Sequence, residues 1–244
     1  MRCDRMIEER QHTGTGSGAA EVEDSSKHFG LRRIDLLRVI EGKLDGGGDG
    51  TSSVTLIRTP TTTVAVDSGA REYRDELLET LKRNGVIVEK VNVLVTTGTH
   101  PLHNGNDSVF SHALQHVMRH EWTKTPEKTG RKVAISNRQH WIDRYLRLEV
   151  VPFPEQGTMV LLLHMPSREE LIEPASREFA GKIIGITGRA VPSGDDPGVA
   201  RALTGVKKEG HKTVNACTDN ITTLQDLLGH CDYIIPAYGP MFKV

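Results

Sequence analysis

The chain has 244 residues, 36% hydrophobic and 26% charged, enough apolar side chain for a sizeable core in one large domain or two small ones. Lys and Arg total 31 against 32 Asp and Glu, a formal net charge of −1. That balance excludes a whole-chain basic footprint for nucleic acid and leaves only a local patch open.

The opening MRCDRMIEERQ mixes both charge signs and has no apolar centre, unlike a secretory signal. Residues 1 to 30 read as a flexible tail, because GTGSGAAEVEDSSK offers almost nothing to bury. Its G-T-G-S-G lacks the preceding strand and following helix of a phosphate loop. Order is expected from Leu31. LRRIDLLRVIEGKL fits a strand slightly better than a helix, and DGGGDGTSS is turn chemistry. SVTLIRT and TTTVAVDSG read as β-branched strands bounded by Pro60 and Gly69. REYRDELLETLKRNG places Tyr73, Leu77, Leu78 and Leu81 at helical spacing and stops at Gly85. VEKVNVLVTT returns to strand, so strand, helix and strand make a crossover unit of a layered α/β domain.

From Val109 to Trp122 the pattern admits either a helix or a strand followed by a loop. RLEVVPF, TMVLLLHM and GKIIGIT are strands, NITTLQDLLGHC is a helix, and CDYIIPAYG closes the chain with a buried strand and a turn. The longest nearly apolar run, Met159–Met165, is far below the roughly 18 residues of a membrane span. Three widely spaced cysteines, Cys3, Cys217 and Cys231, suit a reducing compartment and argue against a disulfide framework or a cysteine zinc module. The expectation is a soluble intracellular protein, with one domain over residues 31–244.

The most informative stretch is LVTTGTHPLHNGNDSVF, residues 94–110, where a β-branched strand runs into a loop carrying His100 and His103. Histidines at a strand end suit a metal, because the sheet fixes their backbone while the loop leaves the rings accessible. Two histidines three apart also occur in ordinary loops.

The order TVAVDSG, amphipathic helix, VNVLVTT and His100–His103 loop resembles the metallo-β-lactamase fold superfamily, and so does the closing CDYIIPAYGPMFKV. The resemblance covers about residues 31–244 and is strongest over 54–110 and 181–244. It implies a four-layer α/β/β/α sandwich with one or two metal ions, zinc above all, at the sheet edges. Asp67 takes the place of the aspartate that ends an early strand in this fold. The animal branch of the family that the chain most resembles implies a homodimeric hydrolase with endoribonuclease activity on histone pre-mRNA, in cytosol and nucleus.

The departures from that family bear on its chemistry. Its His-x-His-x-Asp-His pattern reads here Gly98, Thr99, His100, Pro101, Leu102 and His103, so the first histidine and the aspartate are gone. The third histidine falls at Gln156, the metal-bridging aspartate at Arg189, and the last histidine at Tyr238, around an apparent insertion at MPSREELIEPASREF. Five of the seven implied ligand positions are changed. Catalytic zinc ordinarily keeps three protein ligands and an open position, and loss of a mere outer partner costs about 10–100-fold. An arginine beside a dication adds repulsion, about 4 kcal/mol per unit charge pair at 4 Å and an effective dielectric near 20.

Two other signals compete. His112, His116 and His120 recur every four residues and would share one face of a helix. Asp195 and Asp196 in SGDDPG either form a turn or replace the missing bridging aspartate. No G-x-S-x-G elbow is present. The expectation is therefore a catalytically degenerate member of the fold with a binding or regulatory role, zinc weak or absent, and Arg189 a candidate anion-binding group. The alternative is a metal-dependent hydrolase, RNA its candidate substrate, working through an incomplete or relocated site.

Overall fold

The computed structural model describes residues 33–44, 50–118, 132–135, 139–152, 154, 157–172, 174–205 and 220–244. The expected tail at 1–30, Gln156 and His120 lie outside the described residues. Residues Leu31–Val244 form one compact unit.

Two six-stranded sheets organise it. The first runs in the order β1 (Asp35–Ile40), β4 (Val54–Arg58), β5 (Thr63–Val66), β6 (Val93–Val95), β7 (Leu114–Met118) and β8 (Lys132–Ile135). The second runs β14 (Phe242–Lys243), β13 (Tyr233–Pro236), β12 (Ile183–Gly188), β11 (Thr158–His164), β10 (Leu146–Val151) and β9 (Gln139–Trp141). A two-stranded ribbon, β2 (Lys43–Leu44) with β3 (Gly50–Thr51), lies apart from both.

Strand alternation sorts the apolar residues into three layers. Ile57, Val64, Val66, Val93 and Val95 of the first sheet meet Leu146, Leu148, Met159, Leu161, Leu163, Ile184, Ile186 and Ile235 of the second. The intervening residues face outwards. Leu56, Ala65 and Leu94 pack under Leu77 and Leu81 of helix α1 (Arg74–Arg83). Val160, Leu162 and Ile234 pack under Val199 and Ala202 of α3 (Pro197–Thr204) and Leu224, Leu227 and Leu228 of α4 (Asn220–Gly229). The result is the helix–sheet–sheet–helix sandwich that the sequence implied.

The helix expected over 71–85 begins as a 3-10 turn, Arg71–Tyr73, and continues as α1. The ambiguous stretch after Val109 resolves as a 3-10 turn, Asp107–Phe110, and then β7. A helix carrying His112 and His116 on one face is thereby corrected. His112 lies in the exposed connection and His116 pairs with Val95 in a parallel ladder. Non-local pairing with β6 outweighs local periodicity here, since a spacing of four satisfies strand and helix alike. The SGDDPG turn is a helix start: Asp196 accepts from the backbone N–H groups of Gly198 and Val199 and caps α3, while Asp195 stays exposed.

Strands β5, β6 and β7 run parallel, as do β12 and β13. The C-terminal ends of β5, β6, β12 and β13 lead into Asp67, the Gly98–His103 loop, Arg189 and Tyr238 respectively. The sheets come together at Thr97, whose carbonyl accepts from the Met159 N–H at 3.0 Å. Gly188, at φ +45°, rests on Thr97, and a Cβ there would stand 2.0 Å from its Oγ1. Gly188→Ala should therefore cost about 2–4 kcal/mol, steric clash added to backbone strain. Gly181→Ala, at φ +68° in open space, should cost only about 1 kcal/mol. Equal midpoint shifts for the two variants in urea unfolding would refute the close approach at Thr97.

Candidate functional site

Asp67 anchors the corner. It is 1% exposed and holds the left-handed φ of +57°. Its Oδ1 accepts from the Thr97 N–H at 2.7 Å, and its Oδ2 accepts from Thr97 Oγ1 and from His103 Nδ1, both at 2.8 Å. This network assigns the imidazole proton to Nδ1, facing the carboxylate. Backbone bonds from Ser68 N to the His103 carbonyl and from Ser52 N to the Leu102 carbonyl tie the loop to the sheet. Asn106 adds side-chain bonds to the carbonyls of Ser68 and Ala70.

The two histidines of the loop occupy different settings. His103 is 1% exposed within the short helix α2 (Pro101–Asn104). His100 is exposed and caps that helix, its Nδ1 accepting from Leu102 N at 3.4 Å. Leu102 is half-buried. Gly98 is buried, and a Cβ there would meet the Arg189 stem, 3.5 Å from Cδ and 3.8 Å from Cβ. The Tyr238 ring lies 6.4 Å from the His103 ring, centroid to centroid. Burial pushes the Tyr238 phenol above its ordinary range, Arg189 pulls it down, and Asp67 pushes it up. Gly98, His103, Arg189 and Tyr238 thus surround Asp67 at one edge of the sandwich, with His100 on its exposed rim. Gln156 is outside the described residues.

These residues do not fit a metal site. Gly98 and Leu102 offer no side-chain donor, Arg189 is a cation, and the Tyr238 phenol is held protonated. His103, its Nδ1 facing Asp67, keeps one lone pair, at Nε2, and a single imidazole falls short of the three protein ligands of a catalytic zinc. Among the described residues no group of three or more His, Cys, Asp or Glu side chains could hold a metal ion.

No profile of a known protein family matches the chain. Over 72 residues it is 43% identical to metallo-β-lactamase domain-containing protein 1 of Xenopus laevis, a stretch of 28% of this chain and 30% of that protein. A Thermotoga maritima protein named for the metallo-β-lactamases superposes with a TM-score of 0.65 at 16% identity, over 86% of this chain and 99% of its own. The chain has the metallo-β-lactamase fold. A B3 metallo-β-lactamase with an active-site glutamic acid agrees, at TM-score 0.54 and 14% identity over 81% and 78% of the two chains. Such identities speak of the fold alone.

A polar cluster that the sequence reading did not single out lies on the helix-facing side of the second sheet. Arg147 Nη2 and Glu149 Oε1 are 2.7 Å apart, the residues 8% and 2% exposed. Gln139 donates to the same oxygen at 3.2 Å, and Arg147 also lies over the exposed Trp141 ring. Two residues apart on one strand, Arg147 and Glu149 necessarily share a face. That His230 would come close to Glu149 was not legible locally.

Two titrations test the geometry. Tyr238 should ionise above the ordinary tyrosine range of about 10, and Arg189→Ala should raise it further by removing the nearby cation. Ultraviolet difference titration, with Tyr238→Phe to assign the signal, reads this, and an unchanged Tyr238 in Arg189→Ala would place the two groups apart. Burial also raises the Glu149 carboxyl, against the pull of Arg147, His230 and the Gln139 and Arg147 hydrogen bonds. A carboxyl raised on folding stabilises at low pH, and that contribution fades as pH rises through its folded-state value. Wild type should therefore lose stability relative to Glu149→Gln as pH rises from about 4.3, the ordinary glutamate value. Parallel stability curves in denaturant titrations would show that folding leaves Glu149 unshifted.

Proposed function

We propose that this protein is a catalytically degenerate metallo-β-lactamase-fold protein, one that binds at its former metal edge and does not hydrolyse there. The observation that carries the reading is the Arg189 stem lying against Gly98. By the family resemblance these are the places of a bridging carboxylate and a first histidine. A guanidinium in that spot supplies positive charge without any lone pair for a metal. Metal activation of water is the source of the nucleophile in zinc hydrolases, and without a metal this corner lacks it. A homodimer and a cytosolic or nuclear location, implied by the same resemblance, belong to the proposal. Among the described residues no helix is long and apolar enough to cross a membrane.

The competing reading is a metal-dependent hydrolase, with an endoribonuclease acting on histone pre-mRNA as its specific form. The buried Asp67–His103 pair favours it, because a carboxylate on Nδ1 is the usual orienting partner of a metal-ligating imidazole. Elemental analysis and single-turnover assays separate the two. The expected result is much less than one equivalent of zinc in the purified protein, with phosphodiester and ester substrates, histone pre-mRNA included, cleaved at background rates. Stoichiometric zinc with turnover abolished by His103→Ala would overturn the proposal and establish the hydrolase.

A further inference from the structure

We propose that the Arg189–Tyr238 corner is an oxyanion-binding site, taking a phosphate or carboxylate group of a small ligand or a macromolecule. The inference rests on the non-catalytic reading above and names the ligand chemistry of that same edge.

The argument starts from space. Gly188 follows the close approach to Thr97 and delivers Arg189 at the end of β12, where the two sheets meet. A Cβ at residue 98 would stand in ordinary contact with the Arg189 stem, 3.5 Å from its Cδ, so the stem and the loop are close neighbours. A larger side chain at 98 would compete for that volume. Arg189 remains partly exposed, within reach of solvent.

Charge and donors follow. Arginine stays protonated at any physiological pH and presents a planar fork that matches two oxygens of a carboxylate or phosphate. Tyr238, half-buried and held neutral, keeps a hydroxyl able to donate, and it lies close enough to Arg189 to feel its field. The buried carboxylate of the corner, Asp67, has both oxygens engaged by Thr97 and His103. The turn that carries Tyr238 is itself fixed: Tyr238 N donates to the Pro192 carbonyl at 2.8 Å and Gly239 N to the Gly42 carbonyl at 2.8 Å. Arg38 Nη2 donates to the Gly239 carbonyl at 2.8 Å and brings a second cation to the same turn, balanced in part by Glu41 at 3.3 Å. A fork and a neutral hydroxyl held on rigid strand ends are the elements of a preorganised oxyanion receptor.

Inorganic phosphate is the probe, titrated by calorimetry and by thermal shift into the full chain at low and high sodium chloride. Wild type should bind phosphate and melt higher with it, less so at high salt. Arg189→Ala should bind about tenfold more weakly or worse, the loss of one charge-assisted contact, with an unchanged melting temperature in phosphate-free buffer. Arg189→Lys should retain part of the binding and Tyr238→Phe should lose a smaller part. Should Arg189→Ala fail to fold, Arg189→Gln and Arg189→Lys carry the comparison. Equal phosphate responses in wild type and the Arg189 variants, or no response in wild type, overturn the site. If that protein is also free of zinc and inactive, the non-catalytic reading stands and only the oxyanion site falls. Stoichiometric zinc overturns both.

Discussion

The architecture of this edge depends on one buried carboxylate. Asp67 sits in a left-handed backbone conformation, which for a residue other than glycine costs about 1–3 kcal/mol. It accepts three hydrogen bonds, from the Thr97 backbone, the Thr97 hydroxyl and the His103 ring. Bonds to a charged group contribute about 1.5–3 kcal/mol each, so together they outweigh the strain. Their geometric effect is larger than their energy. They fix the end of β5 to the end of β6, and Thr97 in turn receives Met159 from the second sheet.

From that junction the remaining site residues take their places without further adjustment. Gly188 rests on Thr97, so Arg189 must emerge beside Gly98. The closing turn is held by Val191 and Pro192, whose carbonyls accept from Ala237 and Tyr238, and so it follows β12 to the same corner. The fold therefore gathers Gly98, His103, Arg189 and Tyr238 at this edge, from the ends of β6, β12 and β13. The corner so formed presents one arginine and one tyrosine hydroxyl beside the Asp67–His103 pair.

Much of the architecture was readable from local pattern. The β-branched and apolar runs TLIRT, TVAV, VLV, TMVLLLH and KIIGIT marked strands, and in the fold their alternate residues enter different apolar layers. REYRDELLETLKR announced α1 through its apolar stripe. The stretch after Val109 was ambiguous, since His112 and His116 at a spacing of four satisfy both periods. The parallel pairing of Leu114 with Val93 decides it, and that partner is some twenty residues away. The buried Arg147–Glu149 pair was likewise hidden: two charges on a strand read as a solvated face until the fold buries them.

The sequence by itself determined the strands, the helices and the identity of the side chains at the critical turns, because these follow from periodicity, turn chemistry and residue type. It also carried the resemblance to the metallo-β-lactamase fold, through Asp67, the His100–His103 loop and the closing turn. Only the tertiary structure decided that His103 is buried on Asp67 while His100 caps a helix in solvent. Only it brought the Arg189 stem against Gly98. Both outcomes arise from contacts between segments 36 and 91 residues apart, which no local pattern encodes. They are set by how two sheets close on a single threonine.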